Sequence, residues 1–171
     1  VGQAIAARLA GFGCAEIRVN DLVARPKEAA RLQCVEACLE DVLRCDVVVA
    51  ATPLTAHTRH GIGRRAIQEH MSQRTLLVNI SRGSVVDEGA VAEALNAGDL
   101  GGYAADVFEF EDWALTDRPQ TICAELMKAP RTLFTPHLGS AVIEVRQAIE
   151  RSAAETIIQW AHGEEPMNAL N

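Results

Sequence analysis

The chain has 171 residues, 49% of them hydrophobic, which allows one domain of ordinary size with a real core and argues against two full domains. Its formal net charge of -7 is spread along the sequence, with no basic stripe interleaved with aromatics, so no nucleic-acid partner is expected. No apolar run approaches the roughly 20 residues of a membrane span and no signal-peptide pattern opens the chain, so a cytoplasmic protein without a membrane partner is expected.

The chain opens at Val1-Gly2 without a methionine and already on an amphipathic helical pattern, as a piece of something longer would. Ala4, Ile5, Ala7, Arg8 and Leu9 place a helix over Gln3 to Phe12, stopped at Gly11 or Gly13. Ala15 to Asn20 alternates, with Ile17 and Val19 on one face, and predicts a strand ending in Asn20-Asp21. Pro26 to Cys45 holds short helical pieces, with Pro26 in a first turn and a brief strand near Gln33 to Val35. Val47 to Ala51 is a continuous apolar run, as in a strand covered on both faces, and Thr52-Pro53-Leu54 stops it. A helix around Arg64 to Met71, a buried strand at Leu76 to Ile80, and a helix at Glu88 to Ala97 follow, the last capped by Asp87 and ended by Gly98.

Tyr103 to Phe108 and Thr132 to Thr135 supply two more strands, separated by an irregular segment. The last helix runs from Ala141 to His162 and closes at Gly163; Val142, Val145, Ile149, Ala153, Ile157 and Trp160 recur at helical spacing and predict a face packed on the sheet. Strands alternating with helices across short loops predict an α/β fold with a doubly wound parallel sheet.

In such a sheet ligands sit outside the carboxyl ends of the strands. Arg82, Glu111 and His137 each follow a predicted strand, and a guanidinium, a carboxylate and an imidazole in one crevice can hold an anion and move a proton. Arg82, between Ser81 and Gly83, can present its fork to a carboxylate, phosphate or phosphonate; a surface salt bridge is the alternative. Asp106 lies inside an apolar run and needs a donor, such as a nicotinamide carboxamide. Glu109, Glu111 and Asp112 form an acidic cluster that is either a solvated loop or supplies a partner for His137. His137 follows Thr135-Pro136 and precedes Leu138-Gly139, whereas His57, His60, His70 and His162 read as surface residues.

Gly2, before an alanine-rich helix, matches the end of a pyrophosphate-binding glycine turn, although a helix-packing glycine fits equally. Asp21, at the end of the next strand, is placed to accept from adenosine ribose hydroxyls, with Asn20 as competitor; its charge favours NAD over NADP. Thr52, Pro53, Leu54 and Thr58 either line a cofactor or form an ordinary turn. The cysteines, Cys14, Cys34, Cys38, Cys45 and Cys123, read as free thiols; Cys34 and Cys38 lack a second pair of metal ligands, so no metal is expected.

Three motifs together, Val78-Asn79-Ile80-Ser81-Arg82-Gly83-Ser84-Val85-Val86-Asp87, Ala105-Asp106-Val107-Phe108-Glu109-Phe110-Glu111 and Thr135-Pro136-His137-Leu138-Gly139-Ser140, resemble the NAD-binding domain of the D-isomer-specific 2-hydroxyacid dehydrogenases. The resemblance implies a Rossmann-like fold over residues 1–171, truncated at its N-terminus, with the first strand, two motif glycines and a substrate domain upstream. It implies NAD as cofactor, bound by Gly2, Asp21, Thr52, Pro53, Leu54, Thr58, Ile80, Asp106 and Gly139. Arg82 would bind the substrate anion, His137 would exchange the proton, Glu111 would tune His137, and Ser140 and Arg146 would be further anion contacts. The stretch from Gly101 to Trp113, with Asp117-Arg118-Pro119 and Arg146, is similar to the phosphonate dehydrogenase branch, which implies phosphite oxidised to phosphate. A D-2-hydroxyacid dehydrogenase is the alternative, and a non-catalytic NAD-sensing module a second. The resemblance also implies a homodimer, and little or no turnover by these residues alone.

Overall fold

A computed structural model describes residues 1–166. Helix α1 (Gly2–Leu9) continues as a 3-10 turn to Phe12 and stops at Gly13, whose φ of 69° suits glycine. Strand β1 (Arg18–Val19), α2 (Pro26–Arg31), β2 (Val35–Glu36) and α3 (Leu39–Leu43) follow. The expected strand at Ala15 to Asn20 is thus shorter than its alternation suggested. Then come β3 (Val47–Ala50), α4 (Arg64–His70), β4 (Leu76–Asn79), α5 (Glu88–Ala97), β5 (Gly102–Ala105), α6 (Ala124–Lys128), β6 (Thr132–Phe134) and α7 (Ile143–Ala161).

The expected parallel strands with flanking helices are present, divided into a two-stranded sheet β1-β2 and a four-stranded sheet β3-β4-β5-β6. Every pairing is parallel, and the larger sheet is in register through Val49, Val78, Ala104 and Leu133. Its core face is dense: Leu77, Val86, Val91, Leu100 and Leu126 are fully buried, each worth about 1.5–3 kcal/mol of apolar burial. Val48 and Ala50 of β3 and Leu77 and Asn79 of β4 are buried, Val49 and Val78 half-buried, and the first residues Val47 and Leu76 are 54% and 48% exposed.

Strand β5 ends at Ala105 rather than Phe108, because the chain turns into the core there: Val107 and Phe108 are buried, and Phe108 meets the Phe134 ring edge-on at 5.5 Å. The segment read as irregular contains α6, anchored by the fully buried Leu126. The chain divides into two compact units, Val1–Thr135 and a second from Pro136. In the second, α7 forms as expected and Gly163 closes it at φ 77°. No helix of the described residues is long and apolar enough to cross a membrane.

Arg131 closes the end of α5 at a distance. Its backbone takes a left-handed φ of 57°, and its guanidinium donates to the carbonyls of Leu95, Leu100 and Gly101 at 2.8, 3.2 and 2.9 Å. A cation on helix-terminal carbonyls satisfies acceptors left without an internal donor and complements the helix dipole. Arg131→Ala is expected to cost about 1–3 kcal/mol in urea denaturation. An unchanged midpoint would mean that water replaces these bonds without loss.

Candidate functional site

Because β4, β5 and β6 are adjacent and parallel, their carboxyl ends share one edge of the sheet. Arg82 follows β4, and Glu111 closes the 3-10 turn Glu109–Glu111 that follows β5. His137 follows β6 and lies in the second unit, where its left-handed backbone (φ 53°, ψ 50°) starts the 3-10 turn Leu138–Ser140. Few non-glycine residues adopt that region.

The Arg82 loop is built by Asn79, a fully buried amide at the end of β4. Its Nδ2 donates to the carbonyl of Arg82 at 3.0 Å, and its Oδ1 accepts from the Ser81 amide at 3.1 Å and the Ser81 hydroxyl at 2.8 Å. The Tyr103 phenol also bonds Asn79, and burial drives the Tyr103 pKa above its ordinary value. Arg82 itself is extended and exposed, with Nη1 donating to the Ser81 carbonyl at 2.8 Å. It takes part in none of the ion pairs among the described residues.

Gly83 fixes this loop against the one after β5. A Cβ at Gly83 would lie 1.9 Å from the Phe108 carbonyl carbon and 2.1 Å from the Glu109 nitrogen. Buried Asp112 adds a second tie, its Oδ2 accepting from the Ser84 amide at 2.7 Å. The loops carrying Arg82 and Glu111 therefore touch backbone to backbone.

These contacts also sort the acidic cluster. Asp112 is engaged with Ser84, while Glu109 accepts from the Glu88 amide at 2.9 Å and pairs with His60 Nε2 at 3.0 Å. Glu111 is half-buried, with Oε1 accepting from the Phe108 amide at 3.0 Å. A plain solvated loop is excluded for this segment. His60, read as a surface residue, thus has a specific partner, and His70 is largely buried beside Arg44, with a side chain only 16% exposed.

Asp106 receives the Thr135 hydroxyl at 2.5 Å, so part of the donor requirement anticipated from a carboxamide is met within the protein. Ser140 and Gly139 lie in the turn after His137, and Arg146 lies exposed in the first part of α7.

On the other side of the chain, Gly2 starts α1, where an added Cβ would meet only Ala51 Cβ at an ordinary 3.6 Å; packing within the described residues does not demand glycine there. Asn20, exposed after β1, donates its Nδ2 to the Ala37 carbonyl at 2.9 Å. Asp21 is exposed beyond β1, accepts from the Val23 amide at 3.4 Å and pairs with Arg25 at 3.3 Å. Beyond β3, Thr58 Oγ1 donates to the Pro53 carbonyl at 2.7 Å and accepts from the Thr55 amide at 2.8 Å, folding the Thr52–Pro53–Leu54 segment into a closed loop. The Ile80 amide donates to Ala50 at 3.3 Å, joining the ends of β4 and β3. A helix start, a strand-end acid and a hydroxyl-bearing loop are a donor and acceptor set suited to a dinucleotide.

Sequence reasoning assigned no role to Asn79, Gly83 or Glu88. A polar residue ending an apolar strand was a legible sign for Asn79; the tight contact at Gly83 had none. The residues similar to the phosphonate branch build the loop: Arg118 lies 4.0 Å above the Trp113 ring and donates to the Phe110 carbonyl at 2.8 Å, and Asp117 pairs with Arg59 at 2.9 Å.

Residues 1–139 match the family described as D-isomer specific 2-hydroxyacid dehydrogenase, NAD binding domain. A D-specific alpha-keto acid dehydrogenase of Enterococcus faecalis is 40% identical over 144 residues, 80% of this chain and 42% of its own length. A glyoxylate reductase of Thermococcus gammatolerans is 35% identical over 172 aligned positions, covering 100% of this chain and 48% of its own. Among solved structures, a D-isomer specific 2-hydroxyacid dehydrogenase of Lactobacillus delbrueckii in its NAD-complexed form superposes with a TM-score of 0.82 at 26% identity, over 99% of this chain and 53% of the other. The chain thus spans about half the length of the relatives it matches.

Proposed function

We infer function from one premise: the chain belongs to the D-isomer-specific 2-hydroxyacid dehydrogenase family, within its NAD-binding domain. The natural protein is a D-2-hydroxyacid dehydrogenase acting on a small 2-hydroxy or 2-keto acid. The observation that carries this reading is that Arg82, Glu111 and His137 follow three adjacent parallel strands. The names of the relatives, a glyoxylate reductase and a D-specific alpha-keto acid dehydrogenase, support a keto acid over phosphite.

Arg82 holds the substrate carboxylate, its two parallel N–H donors matching the two oxygens. His137 gives a proton to the keto oxygen during reduction and takes it back from the hydroxyl during oxidation. By the family resemblance, Glu111 would be the carboxylate that orients the acid/base. NAD, when bound, supplies or receives the hydride at the substrate carbon. Gly2 and the start of α1 would hold its pyrophosphate, Asp21 its adenosine ribose, and Thr52, Pro53, Leu54, Thr58, Ile80, Asp106 and Gly139 would be its further contacts. Ser140 and Arg146 add contacts to the substrate anion.

Phosphite oxidation is the second reading, supported by the sequence around Asp112-Trp113. There His137 takes the proton from a water that attacks phosphorus as hydride leaves it. Absorbance of NADH decides between them: the natural protein is expected to oxidise NADH with glyoxylate or another 2-keto acid and to give no signal with NAD and phosphite. A phosphite signal without any keto-acid signal would overturn the assignment.

A further inference from the structure

The proposed chemistry does not use Glu88, yet this carboxylate is 3% exposed, and burial pushes its pKa up against the opposing pull of two backbone amides. Its Oε1 accepts from the Glu109 amide at 2.7 Å and its Oε2 from the Cys123 amide at 3.0 Å. Glu109 returns the bond: its Oε1 accepts from the Glu88 amide at 2.9 Å. The two residues thus exchange side-chain-to-backbone bonds between the first turn of α5 and the 3-10 turn that ends in Glu111. The second oxygen of Glu109 meets His60 Nε2 at 3.0 Å, and the His60 amide donates to the Ser84 carbonyl at 2.7 Å, inside the turn after Arg82.

We propose that Glu88 and Glu109 are positioning residues: their crossed bonds, extended through His60 to Ser84, set the Glu109–Glu111 turn against the Arg82 loop and so place the Glu111 carboxylate. Burying an ionised carboxylate is costly, and an apolar residue would fill the same volume without that cost. What the carboxylate adds is direction. It accepts two amides on segments far apart in sequence, and a 3-10 turn of three residues has poor hydrogen-bond geometry and little stiffness of its own. Loss of a hydrogen-bond partner leaves a buried amide unsatisfied, which the turn relieves by moving. This inference rests on the proposed role of Glu111 only in its kinetic part.

The test uses Glu109→Ala and Glu109→Gln, since Glu109 lies nearer the surface than Glu88 and its replacement is better tolerated by the fold. Hydrogen exchange reports the amides of Glu111 and Asp112, whose acceptors are backbone carbonyls and not the removed side chain. Glu109→Ala is expected to speed exchange at both by about tenfold or more while Val78 and Ala104, in the strands, stay protected. Glu109→Gln, which keeps an acceptor for the Glu88 amide, restores slow exchange. In the natural protein, kcat falls in parallel by about tenfold or more, the KM for NADH holds, and glutamine recovers kcat. Unchanged exchange at Glu111, or acceleration spread evenly over strands and turn, overturns the proposal. Glu111→Gln with full turnover would instead overturn the reading of Glu111, leaving the exchange result to judge the brace.

Discussion

Gly83→Ala is expected to disrupt the candidate site more than any other single-methyl change. The added carbon would sit 1.9 Å from the Phe108 carbonyl carbon and 2.2 Å from its oxygen. Both are backbone atoms at the point where β5 has just left the sheet, so no rotamer change relieves the overlap. Overpacking a well-filled interior costs about 1–3 kcal/mol, and a clash between two backbones belongs at or above the upper end of that range. The loop after β5 must move, carrying Glu111 with it and breaking the short bond from the Ser84 amide to Asp112. A displacement of about 1 Å in a catalytic group costs about a hundredfold in rate. Urea denaturation should therefore show a lowered midpoint, and turnover by the surviving folded protein should fall by about that factor. Full stability with full turnover would show that the two loops do not meet as described.

His137→Ala is expected to give the largest loss of activity. A positioned acid/base contributes about 10²–10⁴-fold to rate, and no other imidazole shares the position after β6. The residue sits in left-handed backbone that costs a side-chain-bearing residue of order 1 kcal/mol or more, a strain that a merely space-filling position could avoid by being glycine. Alanine keeps that backbone and removes only the ring, so folding and NADH affinity should be nearly those of the wild type. The same variant tests the sensor alternative, in which the ring has no chemical part and its loss would leave function intact.

Much of the fold was legible in the sequence. Asp87 and Gly98 bounded α5 correctly because their signals are local: the Asp87 carboxylate accepts from the Ala90 amide at 2.9 Å, and Gly98 takes a φ of 83°. Short apolar runs marked β3, β4 and β5, and the positions of Arg82 and Glu111 beyond strand ends followed from the last two. Other features depend on partners far along the chain. Nothing local marks Glu88, whose partners, the amides of Glu109 and Cys123, come from other segments of the chain. Nothing local marks the tight contact of Gly83, which is made with Phe108. The relatives' names favour a keto acid over phosphite, and Asp112, Trp113 and Arg118, which suggested phosphite, also hold their own loop. Resemblance in loop-building residues says more about shape than about substrate.

The most direct measurement is a rapid-mixing experiment in which the natural protein, preloaded with NADH, meets glyoxylate while NADH absorbance is followed for wild type and His137→Ala. The account predicts NADH loss with wild type and none above background with the variant, although both bind NADH alike by fluorescence titration. A His137→Ala protein that oxidises NADH as fast as wild type would contradict it.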